Sequence, residues 1–188
     1  DPVADQHDRE VVALAMEQSW HWGPHGTDAK ELIIGAEQWP FPVPLVKAGS
    51  EWQFDSKAGQ EEVLARRIGR NELGVISICR DFVRAQKEYA GQSHDGKPAG
   101  VFAQRFRSSP GRQDGLFWEL KRSEKLSPFG ELVAAAVAEG YDPNKPDASP
   151  FRGYRFRILT AQGPAATGGK KSYLVNSEMT GGFALLAY

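Results

Sequence analysis

An apolar stripe between residues 57 and 90 constrains this chain more than any other feature. Val63, Leu64, Ile68, Val75, Ile76, Cys79, Phe82, Val83 and Tyr89 recur at steps of three and four, the spacing that lines one face of an α-helix. Gly69 and Gly74 weaken the pattern, because glycine lowers helix stability, and they predict a break near residues 69–71. Such a break separates a first unit, residues 1–66, from a second, residues 67–188. The two are joined by a long or broken helix.

Shorter elements flank it. Residues 7–19 read as a helix, with Val11, Val12, Ala15, Met16 and Ser19 at helical spacing. Gly23-Pro24 ends any continuation. Residues 31–34 read as a strand, and residues 43–47 and 51–54 as a hairpin around Ala48-Gly49-Ser50. Pro40, Pro42 and Pro44 suit an edge or a lead-in loop, since proline donates no ladder bond. Ser127 and Pro128 open a helix that carries Leu132, Val133, Ala136 and Val137 and closes at Gly140. Strands at residues 154–161, 172–176 and 183–188 predict an antiparallel meander. The fold class is therefore α+β, with helices packed on antiparallel sheets.

Composition narrows the function classes. The 23 basic and 24 acidic side chains nearly cancel, which argues against a nucleic-acid footprint. No apolar run approaches the ~18–20 residues of a membrane helix. The single cysteine, Cys79, cannot form an internal disulfide and reads as a small hydrophobe on the helix face. Oligomeric state stays open. The chain ends inside an apolar run at Tyr188, and both ends read as cut from a longer protein.

Motifs that resemble chemistry fail on detail. Residues 163–172 nearly spell a phosphate-binding loop, but an extra glycine precedes Lys170, Lys171 intrudes before Ser172, and the context is strand–loop–strand. His21 and His25 have a four-residue spacing that suits a metal only on a helix, which Gly23-Pro24 prevents. Asp142-Pro143-Asn144-Lys145-Pro146-Asp147 lacks the alternation of a calcium loop. In Ser93-His94-Asp95 mere adjacency builds no triad. No cofactor or metal is implied. Glu72 falls on the stripe beside Val75 and Ile76, so it reads as a buried carboxylate in need of an arginine such as Arg67, Arg80, Arg155 or Arg157, with a catalytic or ligand-docking carboxylate as the alternative. Trp20, Trp22, Trp39, Phe41, Trp52 and Phe54 form a dense cluster whose expected role is core packing. Exposed, such rings would stack on sugars or on a partner.

Several stretches together resemble a bacterial family known as domain of unknown function 2950. They are Trp39-Pro40-Phe41-Pro42-Val43-Pro44-Leu45-Val46, Trp52-Gln53-Phe54-Asp55, Arg66-Arg67-Ile68-Gly69-Arg70-Asn71-Glu72-Leu73, Ala85-Gln86-Lys87-Glu88-Tyr89-Ala90, residues 153–163 and Met179-Thr180-Gly181-Gly182-Phe183-Ala184. The resemblance implies an exported protein, periplasmic or extracellular, with a leader and an N-terminal helical part before residue 1 and a further hairpin after Tyr188. It carries no catalytic residues. Asn71-Glu72, the helix ending at Tyr89-Ala90, and Gly153-Tyr154-Arg155-Phe156 look like pilin-like globular heads, although Arg66, Arg67 and Arg70 rule out the long apolar pilin helix. The hairpin of the first unit looks like nuclear-transport-factor-2-like domains. The expectation is a non-enzymatic module that binds an envelope protein or polymer. The alternative is a small-ligand or enzymatic pocket in the first unit, lined by Trp39, Trp52 and Phe54 with His21 or His25.

Overall fold

A computed structural model describes residues 2–118, 127–130, 133, 136, 141, 142 and 149–188. Among these the chain is α+β: two helices with antiparallel strand ladders. It divides into two compact units, residues 1–70 and 71–188.

The first unit opens with helix α1 (Pro2–Gln18), followed by strands β1 (Trp20–Pro24), β2 (Ala29–Ile34), β3 (Trp39–Pro40), β4 (Leu45–Ala48) and β5 (Glu51–Phe54). They form one five-stranded antiparallel sheet in the order β1-β2-β4-β5, with β3 also paired to β2. Helix α1 ends at Gln18, before Gly23-Pro24 is reached, and that pair lies within β1. That is an edge strand, where proline's missing donor costs no ladder bond. The β4–β5 turn pairs Ala48 with Glu51. Its positive φ falls on Gly49 alone, as a type II′ hairpin turn requires of its first central residue.

Helix α2 (Ser56–Ala90) begins in the first unit and continues without interruption into the second. The expected break at residues 69–71 is absent. Its start is fixed by Asp55, whose Oδ1 accepts the N–H of Lys57 at 3.1 Å and of Ala58 at 3.0 Å, an N-cap arrangement. The buried face comprises Val75, Ile78, Phe82, Ala85, Gln86 and Tyr89. Val63, Leu64, Ile68, Ile76 and Val83, expected on that face, are exposed. Cys79 is partly buried against the core, and that burial pushes its thiol up from the ordinary range.

The second unit builds its core around α2. Leu116, Trp118, Phe129, Phe151 and Phe156 close over Phe82 and Tyr89. Gln86 is fully buried and replaces a strand partner. Its Nε2 donates to the Ala103 carbonyl at 2.8 Å, and its Oε1 accepts the Ala103 N–H at 2.9 Å. The expected helix from Ser127 lies mostly outside the described residues. Gly130, Val133 and Ala136 are helical, and Ala136 is buried. The expected three-strand meander is replaced by separate ladders. β6 (Phe156–Leu159) pairs directly with β11 (Ala184–Ala187). β7 (Ala161–Gln162) pairs with β8 (Lys171–Ser172), and β9 (Leu174–Val175) with β10 (Glu178–Met179). Asn176 and Ser177 both have positive φ. This is the type I′ turn that folds residues 174–179 onto themselves instead of beside β6.

Candidate functional site: an aromatic sheet face

In an antiparallel sheet, residues directly opposite one another project to the same face, and neighbours along a strand alternate. Trp20 and Trp22 of β1 stand opposite Ile34 and Leu32 of β2, and Trp39 also stands opposite Ile34. Lys30, Leu45 and Phe54 follow in one row, and Lys47 and Trp52 in the next. All four tryptophans of the first unit and Phe54 therefore share one face. His21, Glu31, Ile33, Val46, Glu51 and Gln53 take the other.

The expected core role of these rings fails. Leu32 and Ile34 are buried between them, but the four tryptophans and Phe54 remain 40–56% exposed. Phe41, half-buried, bridges Trp39 and Phe54, with ring centroids at 6.2 and 6.4 Å. Cations sit on two of the indoles: Arg66 Cζ is 5.4 Å from the Trp39 ring centre and Lys30 Nζ 5.1 Å from that of Trp52. Arg66 is anchored by the Pro40 carbonyl and the Glu62 carboxylate, each at 2.6 Å. The charged strand residues on this face, Lys30 and Lys47, are both basic. Glu31 and Glu51 lie behind the sheet.

The remaining candidates fall elsewhere. The register places His21 on the face opposite Trp39, Trp52 and Phe54. His25 is exposed, with Nδ1 4.0 Å from Glu31 Oε2. Glu72 is exposed, so the expected buried ion pair is not formed. At ~100° per residue, Asn71 lines up with Val75, Ile78 and Phe82, while Glu72 lies ~60° to the outer side of Val75. No group of three metal-ligating side chains occurs among the described residues, and none of their helices is long and apolar enough to cross a membrane. The loop at residues 163–170 joins two strands, as its sequence context predicted. Of the oxygen-rich segment, residues 143–147 lie outside the described residues.

His94 belongs to a structural knot in the second unit. It stacks on Tyr89 at 4.1 Å, and its Nε2 lies 3.0 Å from the Tyr89 carbonyl. Tyr89 donates its hydroxyl to the Gln113 carbonyl at 2.8 Å, and burial, followed by the Asp95, Asp114 and Glu178 charges, pushes it up to about 12. Asp114 feels burial most, which alone would raise its carboxyl. The Ser109 N–H and hydroxyl, at 2.7 and 3.0 Å, with Arg105 and Arg112, outweigh this and hold it below the usual carboxylate range. Sequence reasoning missed Gln86. A polar residue between Ala85 and Tyr89 on the stripe was its only signal.

Fold and site thus define a two-unit α+β protein that presents a wide aromatic sheet face. The chain belongs to the family described as protein of unknown function (DUF2950), whose profile matches residues 1–188. No curated protein and no solved structure matches it.

Proposed function

We propose that this chain is a non-enzymatic interaction module of the bacterial envelope, and that the aromatic sheet face binds a carboxylate-bearing glycan polymer. The carrying observation is the sharing of one face by four exposed tryptophans and Phe54. Exposed apolar surface of this extent marks an interaction site. Flat indoles stack against the C–H faces of sugar rings, and Lys30 and Lys47, with no strand carboxylate beside them, complement acidic groups on the polymer. The surface is broad, which suits a polymer more than an enclosed small molecule. The envelope placement, and the likeness to pilin-like heads and nuclear-transport-factor-2-like domains, belong to the same reading and rest on resemblance. Analogy of fold assigns no function.

The test is calorimetric titration of the chain with polygalacturonate, dextran and single-stranded oligothymidine. Acidic glycan binds with an affinity that falls with salt, and Trp22→Ala and Trp52→Ala each weaken it about tenfold, as expected for the loss of ~1–1.5 kcal/mol of ring contact. No binding of polygalacturonate, or equal binding of the oligonucleotide, overturns the assignment. Capture of a purified envelope protein by this face in place of glycan would move the partner to protein.

A further inference from the structure

Helix α2 carries a second line of side chains besides the one it buries. Leu73, Ile76, Arg80, Val83 and Lys87 follow one another at alternating steps of three and four, the spacing of the a and d positions of a heptad. At ~100° per residue the five fall within a sector of ~80°. Its centre lies ~150° around the helix from the line of Val75, Ile78, Phe82 and Tyr89 that faces the core. All five belong to the second unit.

The apolar members of this line are open to solvent: Leu73 is 69% exposed, Ile76 47% and Val83 40%. Apolar side chains exposed singly are ordinary on a protein surface. Three on one heptad line, turned away from the core, are not, because the outer face of a surface helix is normally polar. Arg80 and Lys87 are exposed as well, and neither forms an ion pair with the described residues. Arg84, at one border of the sector, is paired with Asp81 at 2.9 Å. Glu72 stands at the other border, beside Leu73 and Ile76. The line itself holds two cations and no carboxylate. A second copy docked along it would bring the cations of both chains into one seam with no seam carboxylate to meet them. A helix that carries acidic residues neutralises them. Charge complementarity thus selects an acidic partner over self-association.

We propose that the exposed line of α2 docks one acidic amphipathic helix of another protein. The apolar residues of that helix pack on Leu73, Ile76 and Val83 as knobs into holes, and its aspartates or glutamates meet Arg80 and Lys87. The aliphatic stems of the two cations extend the apolar contact, while their charged ends reach past the seam to the carboxylates. Apolar contact alone would accept any amphipathic helix, and the cations make the choice among them.

The test is fluorescence anisotropy of labelled amphipathic peptides, about three heptads long, with leucine at a and d and either glutamate or lysine at e and g, titrated with the whole chain. The glutamate peptide binds, with an affinity that falls with salt, and the lysine peptide does not. Ile76→Lys weakens binding about tenfold or more and leaves the melting temperature unchanged, because Ile76 lies outside the core. Arg80→Glu combined with Lys87→Glu exchanges the preference, so that the lysine peptide binds and the glutamate peptide does not. Trp52→Ala leaves peptide binding unaltered, which separates this line from the sheet face of the first unit. No binding of the glutamate peptide, equal binding of both peptides, or full affinity in Ile76→Lys overturns the proposal. So does a dimer of the chain in sedimentation that Ile76→Lys abolishes, which assigns the line to a second copy. Flotation of the chain with phosphatidylglycerol vesicles, abolished by the same substitution, overturns it in favour of an anionic lipid surface.

Discussion

Gln86 and Glu72 sit on the same helix and show how little a residue's polarity says about its place. Gln86 is sealed in the core, where it satisfies both backbone groups of the buried Ala103. Leucine at position 86 would fill similar space and leave both groups unpaired, each at a cost of ~1–3 kcal/mol. Gln86→Leu should therefore lose about 2–4 kcal/mol in urea denaturation, while Glu72→Gln should change stability by less than about 0.5 kcal/mol. Asp114 yields a pH prediction. Its carboxyl is held below the usual value, so its contribution is present above the unfolded pKa and is lost as pH falls through the lower folded one. Asp114→Asn should flatten the decline of melting temperature in that acid window. Tyr89 is raised to about 12, so its contribution is complete below the unfolded value of 10 and is lost as pH rises toward 12. Tyr89→Phe should flatten that alkaline limb.

At the scale of elements, α2 and the hairpin β4–β5 were legible, because periodicity and turn chemistry are local. The helix is long rather than broken at residues 69–71: glycine's propensity cost, ~1 kcal/mol per residue, is outweighed by the packing of Val75, Ile78 and Phe82 beyond it. The helical glycines also differ from one another. A Cβ built on Gly69 meets nothing within 4 Å, whereas one on Gly59 lies 2.7 Å from Val43 Cγ2. Gly69→Ala should stabilise the chain by about 0.5–1 kcal/mol. Gly59→Ala should cost about 1–3 kcal/mol through overpacking against a stiff β-branched neighbour. Thermal denaturation of the two variants separates these signs. The expected meander does not form because strand order depends on turns such as Asn176-Ser177, where positive φ reverses the chain early. Alternation alone does not order strands.

At the scale of the whole molecule, the aromatic cluster was visible in the sequence as density, but not as a surface. Residue type sets what burial would gain and is silent on whether anything covers the face. Strand β1 was also hidden behind Gly23-Pro24, so the placement of Trp20 and Trp22 with Trp39 on one face had to come from register. The distribution of indoles makes the outcome measurable. Four of the five tryptophans lie in the first unit and are exposed, while Trp118 in the second is 6% exposed. Acrylamide should quench most of the intrinsic emission and leave a shielded fraction, which Trp118→Phe should remove. Polygalacturonate should shield the quenchable fraction in wild-type protein and leave the Trp118 fraction unaltered. If the emission resists acrylamide as a whole before any polymer is added, the sheet face is already covered in solution and is not the open binding surface proposed for it.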